Sequence, residues 1–356
     1  MIWESVLLSL AFAKPLNALA IPRDSQSIGV PLITLEEHFV SEAVGASIGY
    51  QRTFSAFPPS FRSKLYDLDD ERLADMDQGQ ITMQVLSHGP ANWATPDQCR
   101  AANDRLAEAV AAHPTRFAGF AFLPISQPSE AVTEFRRCIQ ELGFVGALID
   151  NHAANGEYYD NPKYWPLFEA AQEMDVPIYL HPTFPTQNMT AMLYQGNYPN
   201  STQLVLGTAG IGWHADTALH VLRLFGAGVF DHYPKLKIVI GHDGELLPFT
   251  LNRTAGFMQH LPNIQRNLIQ VWDENIWVTT SGMFSLPPFE CLLQTTRMDH
   301  IMYSVDYPFS DNLSGLRFMQ DVRASGLLTE EQFEMLAYKN AETLLRVRVC
   351  RDGLAT

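Results

Sequence analysis

The chain is short of basic residues. Its 24 Lys and Arg stand against 39 Asp and Glu, a formal net charge of −15. Surfaces that bind nucleic acid are normally basic, so this balance speaks against one. A small anionic substrate remains compatible, because a metal or an arginine sets the local sign. Cysteine is scarce too. Cys99, Cys138, Cys291 and Cys350 are widely spaced and form no CxxC pair, which excludes a disulfide framework and points to free thiols. Long hydrophobic runs are missing. The longest near the start, Val6 to Ala13, is too short to cross a bilayer. No glycine-rich phosphate loop follows the first strand, and no repeat of 20–50 residues recurs.

What remains is a globular balance. The 356 residues are 46% hydrophobic and 18% charged, enough core for one large barrel or two ordinary domains. Residues 1–30 read as an N-terminal arm or a signal segment. Val6 to Ala13 is followed by the small-x-small site Ala18-Leu19-Ala20. Against a signal, Glu4 precedes the run, no Lys or Arg does, and Lys14 interrupts it. Asn188, Asn200, Asn252 and Asn312 head Asn-x-Ser/Thr sequons, at a density that chance allows. The expectation is a cytoplasmic protein with no membrane association, secretion being the alternative.

Residues 31–356 read as a single domain in which short β-branched or apolar runs alternate with apolar-periodic segments. Strands are expected at residues 31–38, 81–87, 117–123, 145–150, 176–181, 236–240, 276–280 and 301–305. Helices are expected at residues 67–78, 96–113, 128–142, 162–175, 214–225, 246–261, 287–296, 313–325 and 329–346. Thr329 with Gln332 has the form of a capping box. Residues 41–66 and 182–212 read as long irregular loops over one end. Eight strands, most followed by a helix, spell a (β/α)8 barrel. A doubly wound open sheet is the alternative, disfavoured by the missing phosphate loop.

In such a barrel the chemistry sits where strands end. Strand one ends in Glu36-x-His38, and alternation turns both side chains into the mouth while Glu37 faces away. Strand five ends in His181, strand six in His242 and strand eight in Asp306. Each has a structural reading when taken singly: a satisfied core histidine, a paired acid, a turn cap. Jointly they need a common cause, and a divalent cation with an acid/base beside it supplies one. The remaining histidines lack this placement. His88 at the end of strand two and His214 at a helix start stay open as contributors.

Leu35-Glu36-Glu37-His38-Phe39, Tyr179-Leu180-His181-Pro182, Gly241-His242-Asp243-Gly244-Glu245 and Ser304-Val305-Asp306-Tyr307-Pro308-Phe309 resemble signatures of the amidohydrolase superfamily. More narrowly, they resemble its branch of aminocarboxymuconate-semialdehyde and dihydroxybenzoate decarboxylases. The resemblance spans about residues 31 to 345. It implies Glu36, His38, His181 and Asp306 as metal ligands and His242 as the catalytic histidine. It further implies Glu245 and Arg253 as the groups that orient His242. Two-metal hydrolases of the superfamily need a lysine at the end of strand four. Here that strand ends in Asp150-Asn151, so one metal is expected. Two carboxylates and two imidazoles suit zinc, manganese or magnesium.

The activity this implies is non-oxidative decarboxylation of a small ortho-hydroxylated aromatic acid, of the salicylate, dihydroxybenzoate or orsellinate type. The ring supplies the electron sink, so no organic cofactor is expected. Asp306 is expected to be the proton donor, with Phe39, Phe284 and Phe309 lining the substrate pocket. A mononuclear amidohydrolase or lactonase is the alternative, and a non-catalytic barrel a third reading. The long loops and apolar arm suggest a dimer, and a homodimer or homotetramer is expected.

Overall fold

The structure, a computed structural model, describes residues 27–54, 57–262 and 264–349. The arm or signal segment expected at the N-terminus lies outside the described residues up to residue 26.

Eight parallel strands run in the order β1 (Ile33–Phe39), β2 (Met83–His88), β3 (Phe117–Phe122), β4 (Gly146–Asp150), β5 (Ile178–His181), β6 (Ile238–Ile240), β7 (Ile276–Thr279) and β8 (Ile301–Met302), each bonded to the next. All but one of their residues are buried, because the barrel interior covers one face and helices cover the other. The outer layer begins with four helices: α1 (Glu42–Gly45), α2 (Ile48–Phe54), α3 (Pro59–Tyr66) and α4 (Asp70–Gln78). It continues with α5 (Pro96–Ala112), α6 (Pro128–Gln140), α7 (Trp165–Met174), α8 (Asn200–Gly207) and α9 (Gly212–Gly226). Then follow α10 (Leu247–Met258), α11 (Leu268–Asn275), α12 (Leu286–Thr295) and α13 (Asn312–Ser325). Helix starts follow local chemistry. Thr95 with Gln98, and Thr329 with Gln332, close reciprocal capping boxes.

Four expectations need correction. Residues 41–66 are not an irregular loop but carry α1, α2 and α3. Residues 182–212 carry α8, with a turn of helix at Gln187–Met189 and a π-turn at Thr190–Tyr194 before it. Helix α11, whose Trp272 is buried, lies where no element was expected. Strand β8 stops at Met302, because the backbone beyond it is satisfied by side chains. Ser304 N–H donates to the Thr280 hydroxyl (3.1 Å) and Val305 N–H to Glu37 (3.0 Å).

That contact closes the barrel. β1 meets the segment after β8 at one bridge, Glu37 with Tyr307, where His38 N–H donates to the Tyr307 carbonyl at 2.7 Å. The fully buried Glu37 carboxylate accepts from the Ser304 hydroxyl (3.1 Å) and from Val305 (3.0 Å) and Tyr307 (3.2 Å) N–H. In return the Ser304 hydroxyl accepts from Leu35 N–H (2.9 Å) and Glu36 N–H (2.7 Å). The pairing of β1 with β2 slips between Thr34 and Glu37, a bulge that sits just below the site.

Candidate active site

The end of β1 presents Glu36 and His38, β5 presents His181, the turn after β6 presents His242, and the segment after β8 presents Asp306. Gly241 makes room for this convergence. A Cβ there would lie 2.5 Å from Glu36 Oε2, so only glycine lets the carboxylate pass. Beyond it, His242 (φ +49°), Asp243 (+53°), Gly244 (+86°), Glu245 (+55°) and Leu246 (+69°) all lie in the left-handed region. Together they form a left-handed turn that swings His242 and Glu245 to one side before α10 begins. Asp306 is left-handed as well (φ +69°). Such conformations in non-glycine residues cluster at functional sites.

Ligand-type atoms of Glu36, His38, His181 and Asp306 all lie within 4.8 Å of one another. His38 Nε2 is 3.2 Å from Asp306 Oδ1, and His181 Nε2 is 3.1 Å from Glu36 Oε1. Yet buried Glu36 Oε1, His38 Nε2 and Asp306 Oδ1 have no aligned hydrogen-bond partner. Ligands about 2.1 Å from one ion and at right angles to each other stand about 3 Å apart. Buried orphan atoms at that spacing, from two acids and one imidazole with His181 Nε2 beside them, fit a divalent cation. The outward sides of Glu36 and His38 are held. Tyr179 OH donates to Glu36 Oε2 and meets the Thr279 hydroxyl at 2.6 Å, while Ser87 Oγ lies 3.2 Å from His38 Nδ1. Burial would raise the Glu36 carboxyl, but the nearby His242 and His181 imidazoles outweigh it and hold it well below the usual range. Burial and the Glu36 charge push Asp306 well above that range.

Beside these four lies a second group. The fully buried Glu245 carboxylate meets His242 Nδ1 through Oε1 (2.8 Å) and His214 Nδ1 through Oε2 (2.6 Å). His242 Nε2 faces the mouth, 3.7 Å from Glu36 Oε1. Burial disfavours a charged His242, but the Glu245 and Glu36 carboxylates push it up to about 10. His214, left open above, therefore belongs here. Arg253 does not: it is exposed on α10, its guanidinium over the Phe257 ring at 5.2 Å, and Glu245 takes its two contacts from imidazoles.

Of the three expected pocket aromatics, only Phe309 neighbours the ligands, its ring 5.5 Å from His38. Phe39 is buried against His88 (5.3 Å), and Phe284 packs on Phe318 of α13 (5.6 Å). The aromatic wall around Phe309 comes instead from the helical segment at 41–66. Phe57 and Phe61 lie 5.9 and 5.3 Å from it, and Phe54 bridges to Phe184 at 6.4 Å. His88 is a satisfied core histidine. Its Nδ1 meets the Gly89 carbonyl (2.7 Å), and its Nε2 accepts from Ser41 N–H (3.1 Å).

The sequence profile of a family described as amidohydrolase matches residues 47–347. The chain is 48% identical over 330 residues to Decarboxylase orsB of Emericella nidulans, covering 90% of this chain and 99% of that one. It is 37% identical over 333 residues to a gamma-resorcylate decarboxylase of Polaromonas sp., covering 88% and 98%. Among solved structures it is similar to a dihydroxybenzoic acid decarboxylase of Polaromonas sp. with bound manganese and the inhibitor 2-nitroresorcinol. There the TM-score is 0.76 at 34% identity, covering 89% of this chain and 97% of that one.

Proposed function

The chain belongs to the amidohydrolase family, and on that premise we propose that it decarboxylates, without oxidation, a small ortho-hydroxylated aromatic acid at one divalent cation. It is a metal-dependent carboxy-lyase acting on aromatic acids. The observation that carries the finer reading is the cluster of buried, unpartnered ligand atoms on Glu36, His38 and Asp306, with His181 beside them. Glu36, His38, His181 and Asp306 would hold the cation. The bound ion would anchor the substrate's carboxylate and its neighbouring phenolic oxygen and favour the phenolate form.

The chain's own groups then divide the work. Asp306 gives its proton to the ring carbon that carries the carboxylate and regains one from solvent once the product has left. The bond to the carboxylate breaks, its electron pair restores the ring, and carbon dioxide leaves. His242 holds the phenolic oxygen through its Nε2–H, its ring oriented by Glu245 through Nδ1. Phe309 and its aromatic neighbours would give an aromatic ring an apolar wall beside His38.

An anaerobic assay of metal-loaded protein against a panel of 2-hydroxybenzoates tests this reading. Carbon dioxide and the matching phenol are expected from at least one member. Silence across the panel with one metal bound per chain would move the reading to hydrolysis or to a non-aromatic acid. A homodimer or homotetramer is supported by exposed Phe249 and Phe257 on α10, and light scattering would test it. Among the described residues no helix is long and apolar enough to cross a membrane. A cytoplasmic location is the reading we favour, and sequencing the mature N-terminus checks it.

A further inference from the structure

Glu245 is a carboxylate with no access to solvent, and it has two oxygens to satisfy. One takes His242. The other takes His214, which stands 31 residues earlier in the first turn of α9. The two rings lie 4.9 Å apart at 65°, so they flank the carboxylate without stacking on each other. The far nitrogen of His214, Nε2, lies 3.3 Å from the Ala209 carbonyl just ahead of the helix. His214 is thus held at both nitrogens, one toward its own segment and one toward Glu245.

We infer that His214 is a positioning residue for His242, acting through Glu245 by fixing the rotation of its carboxylate. The inference rests on the decarboxylase reading for the role of His242, and on geometry alone for the link itself. With His214 in place, Glu245 Oε1 is committed to His242 Nδ1. That nitrogen carries the hydrogen, and Nε2 is left to face the mouth. Without His214, Oε2 becomes a buried acceptor with no donor. The carboxylate then turns to share both oxygens with the one remaining N–H, and the His242 ring turns with it.

His214, His242 and Glu245 also lie close enough together to share a metal ion. Their atoms differ from the cluster at Glu36, however. Here each nitrogen already meets a carboxylate oxygen in hydrogen-bond alignment, at 2.6 and 2.8 Å, whereas the ligand atoms of Glu36, His38 and Asp306 meet none. Saturated groups call for no ion.

The test compares His214→Leu, which fills the space without a donor, with His214→Gln, whose amide can still reach Glu245. Both are measured as zinc-loaded protein. For His214→Leu, kcat on a substrate from the panel is expected to fall about 10- to 100-fold, with KM within about twofold of wild type. His214→Gln should recover most of that loss, and both variants should hold as much metal as wild type. Proton–nitrogen spectra of 15N-histidine-labelled protein give a readout independent of turnover. The His242 Nδ1–H resonance should move or broaden in His214→Leu and stay near its wild-type position in His214→Gln. An unchanged kcat and an unmoved resonance in His214→Leu would overturn the inference. So would loss of one metal per chain in either variant, which would make His214 a ligand. If wild type turns over no member of the panel, the decarboxylase reading fails on that result, and the spectra alone decide the link.

Discussion

Asp306 is the most exposed of the four ligand candidates, its side chain 16% accessible, and it stands in a left-handed conformation that asparagine also tolerates. Asp306→Asn should therefore fold normally, as read by circular dichroism, while turnover falls below about a thousandth of wild type. Retained activity would remove Asp306 as the proton donor. Gly241→Ala probes the same site from the opposite side. Its Cβ would stand 2.5 Å from Glu36 Oε2 and 3.0 Å from the Tyr179 hydroxyl, so Glu36 must move. Metal affinity, measured by competition with a chelator, should drop about tenfold or more. The ligand candidates were legible because a strand end is a local signal: apolar run, then ligand. His214 gave no comparable signal, since its partner lies 31 positions away across a helix and a strand. Arg253 was misplaced for another reason. The family resemblance put it beside Glu245, but the left-handed turn aims α10 so that position 253 faces outward.

That turn is the element on which the site depends. A left-handed residue other than glycine costs roughly 1–2 kcal/mol, so the four in residues 242–246 cost on the order of 4–8 kcal/mol between them. The buried contacts of His242 and Glu245 offset it. Asp243 adds a burden of its own, because both carboxylate oxygens are buried without partners and burial pushes its proton affinity well up. The folded state thus favours protonated Asp243 more than the unfolded chain does. Its penalty is absent below the ordinary carboxylate range and grows as pH rises from there toward the folded-state value. Asp243→Asn keeps a residue type that accepts left-handed backbone and removes the titration. Its Tm should match or exceed wild type, with an advantage that widens between pH 4 and pH 7 in thermal melts (about the span above a free carboxyl). The strands were legible for the opposite reason, since most of these buried parallel strands are apolar up to the ends that carry the site. The helices at 41–66 were not, because Pro, Ser and Phe crowd short segments that lack a sustained apolar stripe.

For the whole molecule, the eight-strand order and the side on which the chemistry sits both followed from alternation in the chain. How the barrel shuts did not, because Glu37 read only as a residue facing away. Removal of the cation should register globally. A chelator withdraws a ligand that binds the folded state alone, so Tm should fall by the equivalent of about 2.7 kcal/mol if metal stood at a hundred times its dissociation constant. Calorimetry with and without added metal checks this, and an unchanged Tm would mean that no ion contributes to the fold.

The seam at Glu37 has a consequence for how the protein is made. It joins β1 to residues 304–307, some 267 to 270 positions away in the chain. Glu36 and His38 lie on one side of that seam and Asp306 on the other. A nascent chain still missing its last strand lacks one of the four ligand candidates, however well its first seven strands are formed. Contacts this distant in sequence close late and slowly. The four ligand candidates therefore come together only in a chain whose last strand has been made.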